Sequence, residues 1–314
     1  MPKSSNLASA LMIGFLCASL GSVENAAAAD CAALLASFNA AVQARSVEAA
    51  KKAEAEIAKD AVCGASMIQV QNTRAALQLI SADALPGNSP QREALIVDAD
   101  KADVSWKAAA SLGALRFEQR RFPEAANVYM RAIEIIKDAT KTPRPPDEAA
   151  INDILDRATQ ARLLAANEGT PGSTFVASAK DHRDGGVGGV MSEDIRGVRP
   201  VAVPLPIRFD FNSARLSPIG LEAVSELLAA IKQQRPPEVI IVGHTDTVGS
   251  DEYNMRLSAE RVKTVEQALR DGGVSQRIRG VAMGKREPLR VADRGSLTQD
   301  DINALNRRVE WRRR

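Results

Sequence analysis

The chain divides at a stretch rich in glycine and proline, and the sequence pattern differs on its two sides. Residues 168–203 contain four glycines between positions 185 and 189, and further prolines continue to Pro206. Before this stretch apolar residues recur at helical spacing, whereas after it short apolar runs alternate with helical segments. We therefore expect two folded parts, residues 30–167 and residues 204–314, joined by a linker at 168–203.

The first part is predicted to be entirely helical. Aromatic residues make up only 4% of the chain, so its cores must be built from small aliphatic side chains, which favours helices. Between residues 33 and 42 the apolar positions fall on one helical face. Ser46 is a plausible N-cap for the next helix, and a later helix is expected from about Pro146 to Ala166.

One helical pair in this part has a more specific pattern. The spacing typical of a tetratricopeptide repeat is kept by Leu112, Gly113, Phe122, Ala125, Tyr129 and Ala132. The small residues allow close approach of two helices, and the two aromatic rings fill the groove between them. The first aromatic comes one place late, at Phe117, and the terminal proline of the pattern is missing. An alanine-rich bundle with one repeat-like hairpin is the alternative.

Residues 1–29 have the features of an export signal. Lys3 precedes an apolar stretch from Leu7 to Leu20, and Ala27 and Ala29 supply small residues at a cleavage site before Asp30. An uncleaved N-terminal anchor is the alternative. Export predicts a periplasmic protein, associated with the outer membrane or the cell wall.

The cysteines agree with export. Removal of residues 1–29 would leave Cys31 and Cys63, and an even pair in an oxidising compartment predicts a disulfide. It would tie the start of the first helix to the end of the second. Two free buried thiols are the alternative.

The second part alternates strands and helices. We expect strands at 207–211, 238–244, 277–283 and 307–312, and helices from Pro218 to about Gln233 and from 251 to 270. These segments predict a βαβαβ(α)β sandwich, with helices packed against one sheet. The predicted fold class is thus α+β, with an all-α helical domain before the sandwich.

Five fragments of the second part resemble one family. In order along the chain they are residues 209–214, 242–261, 272–274, 284–288 and 306–310. Together they resemble the OmpA C-terminal-like family, which includes MotB and the peptidoglycan-associated lipoproteins. The resemblance covers about 110 residues, roughly a third of the chain, and implies binding of the diaminopimelate residue in peptidoglycan stem peptides.

The resemblance places the key binding pair at Asp246 and Arg261, which lie fifteen residues apart. Asp246 follows a buried strand, where loops build binding sites, and Arg261 lies on the next helix. A carboxylate and a guanidinium match the ammonium and carboxylate on one carbon of diaminopimelate. The spacing alone would favour these two residues pairing with each other to pin helix to strand, whereas the family resemblance favours ligand binding.

Further residues are predicted to surround this pair. The additional site residues are Thr245, Thr247, Asn254, Leu257, Phe211, Asn212 and Arg308. Asn254 is as well suited to capping the loop, and Asn212 replaces an acid of the family pattern. Arg307 and Arg308 either line the pocket or are solvated charges that protect a strand edge.

The expected function is non-covalent binding of peptidoglycan, with the helical part recruiting an envelope protein. The formal net charge of +2 argues against a nucleic-acid partner, and no catalytic constellation, metal site or cofactor site is apparent. In the alternative, the helical part is the main scaffold of an envelope complex and wall binding is only a tether. Deletion of residues 31–167 should leave wall binding intact under the first reading.

Overall fold

The computed structural model describes residues 22–169, 194–210, 212–291 and 295–313. The chain forms two compact units, Met1–Met67 and Ile68–Arg314. Most of the predicted signal segment and most of the predicted linker lie outside the described residues. Among the described residues, no helix combines the length and apolar character needed to cross a membrane.

The first unit contains α1 (Ser22–Gln43), α2 (Val47–Ile57) and a short 3-10 helix (Cys63–Ser66). A disulfide joins Cys31 on α1 to Cys63, as expected from the cysteine count. The Ser46 side chain accepts a hydrogen bond from the backbone N–H of Ala49 at 3.2 Å, which confirms it as the N-cap of α2. Helix α1 runs through the cleavage point predicted before Asp30.

The second unit begins with five helices, and we call residues 68–167 the helical bundle. They are α3 (Met67–Asp83), α4 (Pro90–Asp100), α5 (Trp106–Glu118), α6 (Phe122–Lys137) and α7 (Glu148–Asn167). At the contact of α5 with α6, a Cβ on Gly113 would lie 2.9 Å from the Tyr129 ring. Glycine is therefore required for this close approach, as the repeat-like spacing implies.

The remainder of the unit, residues 202–313, is the sheet domain. Its elements are β1 (Ala202–Leu205), α8 (Pro218–Gln234), β2 (Glu238–His244), α9 (Asp251–Asp271), β3 (Arg277–Gly284), α10 (Gln299–Asn306) and β4 (Val309–Arg312). The strand order is β1-β4-β2-β3, with β2 parallel to β3 and antiparallel to β4. The predicted α+β class, with a helical region before the sandwich, is confirmed.

The predicted position of the first strand is wrong. Strand β1 lies at Ala202–Leu205 instead of residues 207–211, and it pairs antiparallel with β4 at the sheet edge. An edge position tolerates Pro204, which has no N–H to donate. After Pro206 the backbone forms hydrogen bonds within its own segment: Asp210 N–H bonds to Arg215 O, and Ser217 N–H bonds to Arg208 O. These local hydrogen bonds replace those of a strand.

The helical bundle and the sheet domain share one hydrophobic core. The buried cluster includes Ile151 and Leu155 of α7 together with Val203 and Leu205 of β1. Arg162 of α7 is only 1% exposed and forms an ion pair of 2.9 Å with Glu226 of α8. Apolar burial and paired charges therefore hold α7 against the sheet domain.

Candidate functional site

A cleft of about 640 Å³ opens beyond the carboxyl end of β2. It is lined by Ala166, Asn167, Ile207, Arg208, Phe209, Asp210, Asn212, Ser217, Ile219, Thr245, Asp246, Val248, Tyr253, Asn254, Leu257, Arg261, Asn303 and Arg307. The volume is in the range of clefts that bind small molecules or parts of peptides. Six of the predicted site residues, Asp246, Arg261, Thr245, Asn254, Leu257 and Asn212, therefore share one cleft.

The loop between β2 and α9 is fixed by its own side chains. Asn254 is buried, and its amide donates to the carbonyl oxygens of Val248 at 2.8 Å and Ser250 at 3.0 Å. The Ser250 side chain caps α9. Asn254 thus has the loop-capping role that the sequence left open, and it holds the loop that carries Asp246.

Helix α9 lies close to the sheet because β2 carries a glycine at the contact. A Cβ on Gly243 would lie 2.6 Å from a methyl carbon of Val262 and 2.9 Å from Ser258 O. Such distances are too short for any larger residue without movement of the helix. The close approach brings Arg261, the neighbour of Val262, to the wall of the cleft.

Arg261 is held by one hydrogen bond and one aromatic ring. Its Nε–H donates to Ser213 O at 3.1 Å, and its guanidinium carbon lies 4.9 Å from the centre of the Phe209 ring. Burial lowers the pKa of Arg261, and the nearby charge of Arg307 lowers it further. Tyr253 and Asp246 act in the opposite direction, but the pKa of Arg261 is lowered overall. Within the described residues Nε–H is the donor of Arg261 that has a protein acceptor, and the residue lines the cleft.

Asp246 pairs with Arg307 rather than with Arg261. Its Oδ2 accepts from Arg307 Nη1 at 2.9 Å, and its Oδ1 accepts from the backbone N–H of Val248 at 3.1 Å. The alternative of an Asp246–Arg261 ion pair is not what the described residues show. A carboxylate has about four acceptor positions, so two remain available to a ligand.

Two more arginines belong to the cleft. Arg307 Nη2 also contacts Asn167 Oδ1 at 3.3 Å, at the end of α7. Arg208 donates to the backbone carbonyls of Ala304 and Leu163. Burial and the charges of Arg307 and Arg261 lower the pKa of Arg208 to about 9, so it remains mostly protonated at neutral pH. The cleft therefore carries more positive than negative charge.

The rim of the cleft is formed by Asn212 and Tyr253. The Tyr253 hydroxyl donates to Asn212 Oδ1, and Asn212 has a φ of 50°, in the left-handed region that asparagine tolerates. Thr245 is buried, and its hydroxyl donates to Asp246 O at 3.1 Å. Thr247 is exposed and does not line the cleft, and Phe211 lies outside the described residues.

Arg308 is in a different environment from the one predicted. It is 4% exposed and does not line the cleft, because its Nη2 bonds to Glu310 Oε1 at 2.6 Å inside the sheet domain. His244 Nε2 lies 3.4 Å from the same oxygen. Burial alone would raise the pKa of Glu310, but His244 and Arg308 lower it overall. Arg308 is thus neither a cleft residue nor a solvated edge charge.

Arg208 and Asn167 are cleft residues that sequence reasoning missed. Asn167 lies 140 positions from its partner Arg307, and no local pattern signals a contact across that separation. Arg208 alternates with apolar Ile207 and Phe209, which indicated a solvent-facing strand residue. A group of three side chains able to hold a metal ion is not found among the described residues.

The sequence of the sheet domain matches one family. Residues 208–299 match the sequence profile of the OmpA family. The chain is 37% identical over 111 residues to outer membrane porin F of Pseudomonas fluorescens, which covers 35% of this chain and 32% of the porin. It is 38% identical over 104 residues to the peptidoglycan-associated lipoprotein of Legionella pneumophila, covering 33% of this chain and 56% of that protein.

The probable lipoprotein YiaD of Escherichia coli is 34% identical over 109 residues, which cover 34% of this chain and 48% of YiaD. This chain thus spans about a third to just over half of the length of these relatives. Among solved structures, the peptidoglycan-associated lipoprotein of Burkholderia pseudomallei is similar over 36% of this chain and 89% of its own, with 25% identity and a TM-score of 0.29. The OmpA-like part of the chain is therefore residues 208–299.

Proposed function

We propose that the OmpA-like domain binds peptidoglycan without modifying it, and that its cleft holds the diaminopimelate residue of a stem peptide. The observation that carries the proposal is the position of Arg261 and Asp246 in the cleft, together with the hydrogen bonds that each forms. Both line one cleft, they do not pair with each other among the described residues, and each keeps hydrogen-bonding capacity. The relatives named as peptidoglycan-associated lipoproteins support the same class of ligand.

The chemistry of the cleft fits a zwitterion. The two terminal nitrogens of Arg261 can bind a carboxylate through two parallel hydrogen bonds, and the free acceptor positions of Asp246 can take an ammonium group. Diaminopimelate carries both groups on one carbon. Loss of either protein charge would leave its ligand partner desolvated and unpaired, at a cost of about 2–5 kcal/mol.

We further propose that the protein works in the periplasm, where the helical bundle binds an envelope protein. An oxidising compartment is supported by the disulfide between Cys31 and Cys63. A partner surface is supported by the repeat-like contact of Gly113 with Tyr129, since hairpins of this type form binding surfaces. Wall binding and partner binding would then belong to different parts of one chain.

Retention of the purified protein on isolated sacculi tests the proposal. We expect Asp246→Ala and Arg261→Ala each to reduce retention at least about tenfold, as the loss of about 2–5 kcal/mol implies. Arg256→Ala is the matched control, because Arg256 is exposed on the same helix and does not line the cleft. Equal retention of wild type and both cleft variants would contradict the proposal.

A further inference from the structure

The cleft has a wall that is not part of the sheet domain. Ala166 and Asn167, at the end of α7, line it together with the residues after β2. Asn167 Oδ1 accepts from Arg307 Nη2 at 3.3 Å, while Arg307 Nη1 donates to Asp246 Oδ2 at 2.9 Å. One guanidinium therefore joins the helical bundle to the carboxylate of the proposed ligand site.

The end of α7 is held in this place by other contacts. Arg208 Nη2 donates to the Leu163 carbonyl, one turn before the helix end. Arg162, on the same turn, is buried in its ion pair with Glu226. Asn167 is thus attached to a helix that the sheet domain holds in place, and its side-chain oxygen accepts a hydrogen bond from Arg307.

Arg307 needs such an acceptor because its side chain is 36% exposed and long. A solvent-facing arginine with one ion pair retains several rotamers, and ordering them costs conformational entropy when a ligand binds. Two fixed acceptors on different elements restrict the guanidinium to the cleft. Its positive charge then adds to those of Arg208 and Arg261. The three arginines that line the cleft outnumber its two carboxylates, Asp210 and Asp246, and this excess favours a ligand with more than one carboxylate.

We propose that Asn167 is a positioning residue: it holds the Arg307 guanidinium beside Asp246, so that the cleft binds a second carboxylate of the stem peptide. The helical bundle then takes part in wall binding through Arg307. This inference rests on the proposed function of the cleft, and it assigns a positioning role in ligand binding to a residue outside the sheet domain.

A double-mutant cycle separates positioning from a general structural effect. The affinity of the full chain for a soluble muramyl tripeptide containing diaminopimelate is measured by calorimetry for wild type, Asn167→Ala, Arg307→Ala and the double variant. We expect Asn167→Ala to weaken binding about three- to tenfold, the usual net effect of one hydrogen bond of ordinary strength. In the Arg307→Ala background the same change should have no further effect, because Asn167 acts through Arg307.

The matched control is Asn152→Ala, the same substitution at an exposed position of α7 away from the cleft, which should bind like wild type. Amidation of the glutamate carboxylate in the tripeptide should weaken binding to wild type and have little effect on Arg307→Ala. The inference would be overturned if Asn167→Ala bound the tripeptide with wild-type affinity. It would also be overturned if the double variant bound more weakly than Arg307→Ala by the full effect of Asn167→Ala. If Asp246→Ala also binds like wild type, the proposed function fails as well; if Asp246→Ala loses binding, the positioning role alone is refuted.

Discussion

At the scale of single residues, Asp301 connects two parts of the molecule. Its two carboxylate oxygens accept from Arg120 of the helical bundle at 2.8 and 2.9 Å. The same carboxylate accepts from the backbone N–H of Thr298, which completes a capping box at the start of α10. Hydrogen bonding from Arg120 is the largest cause that lowers the pKa of Asp301 to about 2.

Replacement of this residue should therefore destabilise the protein in a pH-dependent way. Because the folded-state pKa of Asp301 is lowered, its ionisation stabilises the fold above the unfolded-state pKa, and this contribution is lost as the pH falls through about 2. We expect Asp301→Asn to reduce the free energy of unfolding by about 1–3 kcal/mol at neutral pH. Urea unfolding should show this difference shrinking between about pH 4 and pH 2.

Asp300→Asn is the control for that measurement, since Asp300 is an exposed neighbour in the same helical turn. It should change stability little at any pH. A constant difference between wild type and Asp301→Asn down to pH 2 would show that the ionised carboxylate is not what stabilises the contact.

How far the cleft could be predicted depended on sequence distance. Asp246 and Arg261 belong to one continuous strand–loop–helix segment, so their family spacing placed both in the cleft. Arg307 lies 61 positions from Asp246, and the sequence analysis named Arg308 among the site residues, whereas the structure places Arg307 in the cleft. The two neighbouring arginines lie in different environments, and Arg308 points into the sheet domain, where it pairs with Glu310. Whether the cleft residues bind ligand stays a prediction.

At the scale of elements, helix starts were predictable and the first strand was not. Ser217 caps α8 and Pro218 is its first residue, as expected, because these signals act within one turn. The first strand has no such local signal. Its place is set by pairing with β4, about 110 positions later in the chain, and that pairing selects Ala202–Leu205 over the more regular alternation that follows.

The geometry of the contact between α9 and β2 can be tested. We expect Gly243→Ala to push Val262 and its helix away from the strand, since the new Cβ would lie 2.6 Å from a Val262 methyl carbon. Overpacking of this kind costs about 1–3 kcal/mol of stability. The movement should also weaken tripeptide binding, because Arg261 is carried on the same helix.

Thermal unfolding and calorimetry on one protein sample check both effects. Gly87→Ala is the matched control, because a Cβ at Gly87 would have no neighbour within 4 Å. A Gly243→Ala variant with normal stability but weakened binding would still support the geometric coupling. Normal values of both quantities would contradict it.

At the scale of the whole molecule, the helical bundle is more than a separate module on a linker. It shares a hydrophobic core with the sheet domain, and the pairs Arg120–Asp301 and Arg162–Glu226 cross between them. The glycine-rich sequence between them gave no sign of this packing. With Asn167 in the cleft, deletion of the helical region is now expected to weaken wall binding, in contrast to the expectation from sequence alone.

The coupling predicts that one substitution has different effects in two contexts. In the full chain, Glu226→Gln removes a charge partner of buried Arg162 and should destabilise by about 3–5 kcal/mol. In a fragment of residues 194–314, Glu226 has lost Arg162, so the same change should be neutral or stabilising. Urea unfolding, followed by the fluorescence of buried Trp311, measures the stability of the full chain and of the fragment. The full chain carries Trp106→Phe in this measurement, which removes its second indole.

The control is Lys232→Gln, which removes one charge at an exposed position of the same helix and should change both forms little. The fragment itself should be less stable than the full chain, because residues of its core such as Val203 and Leu205 lose their cover from α7. Equal destabilisation by Glu226→Gln in both contexts would show that the charge pair does not couple the two parts.

The strand order has a mechanical consequence for a protein attached to the wall. Asp246 follows β2 and Arg307 precedes β4, and these are the two central strands, adjacent through the pair Gly243–Val309. Tension applied through a ligand in the cleft would enter the sheet where each strand has a neighbour on both sides. The load would then reach strands that hydrogen bonds hold on both sides, whereas an edge strand is held on one side only.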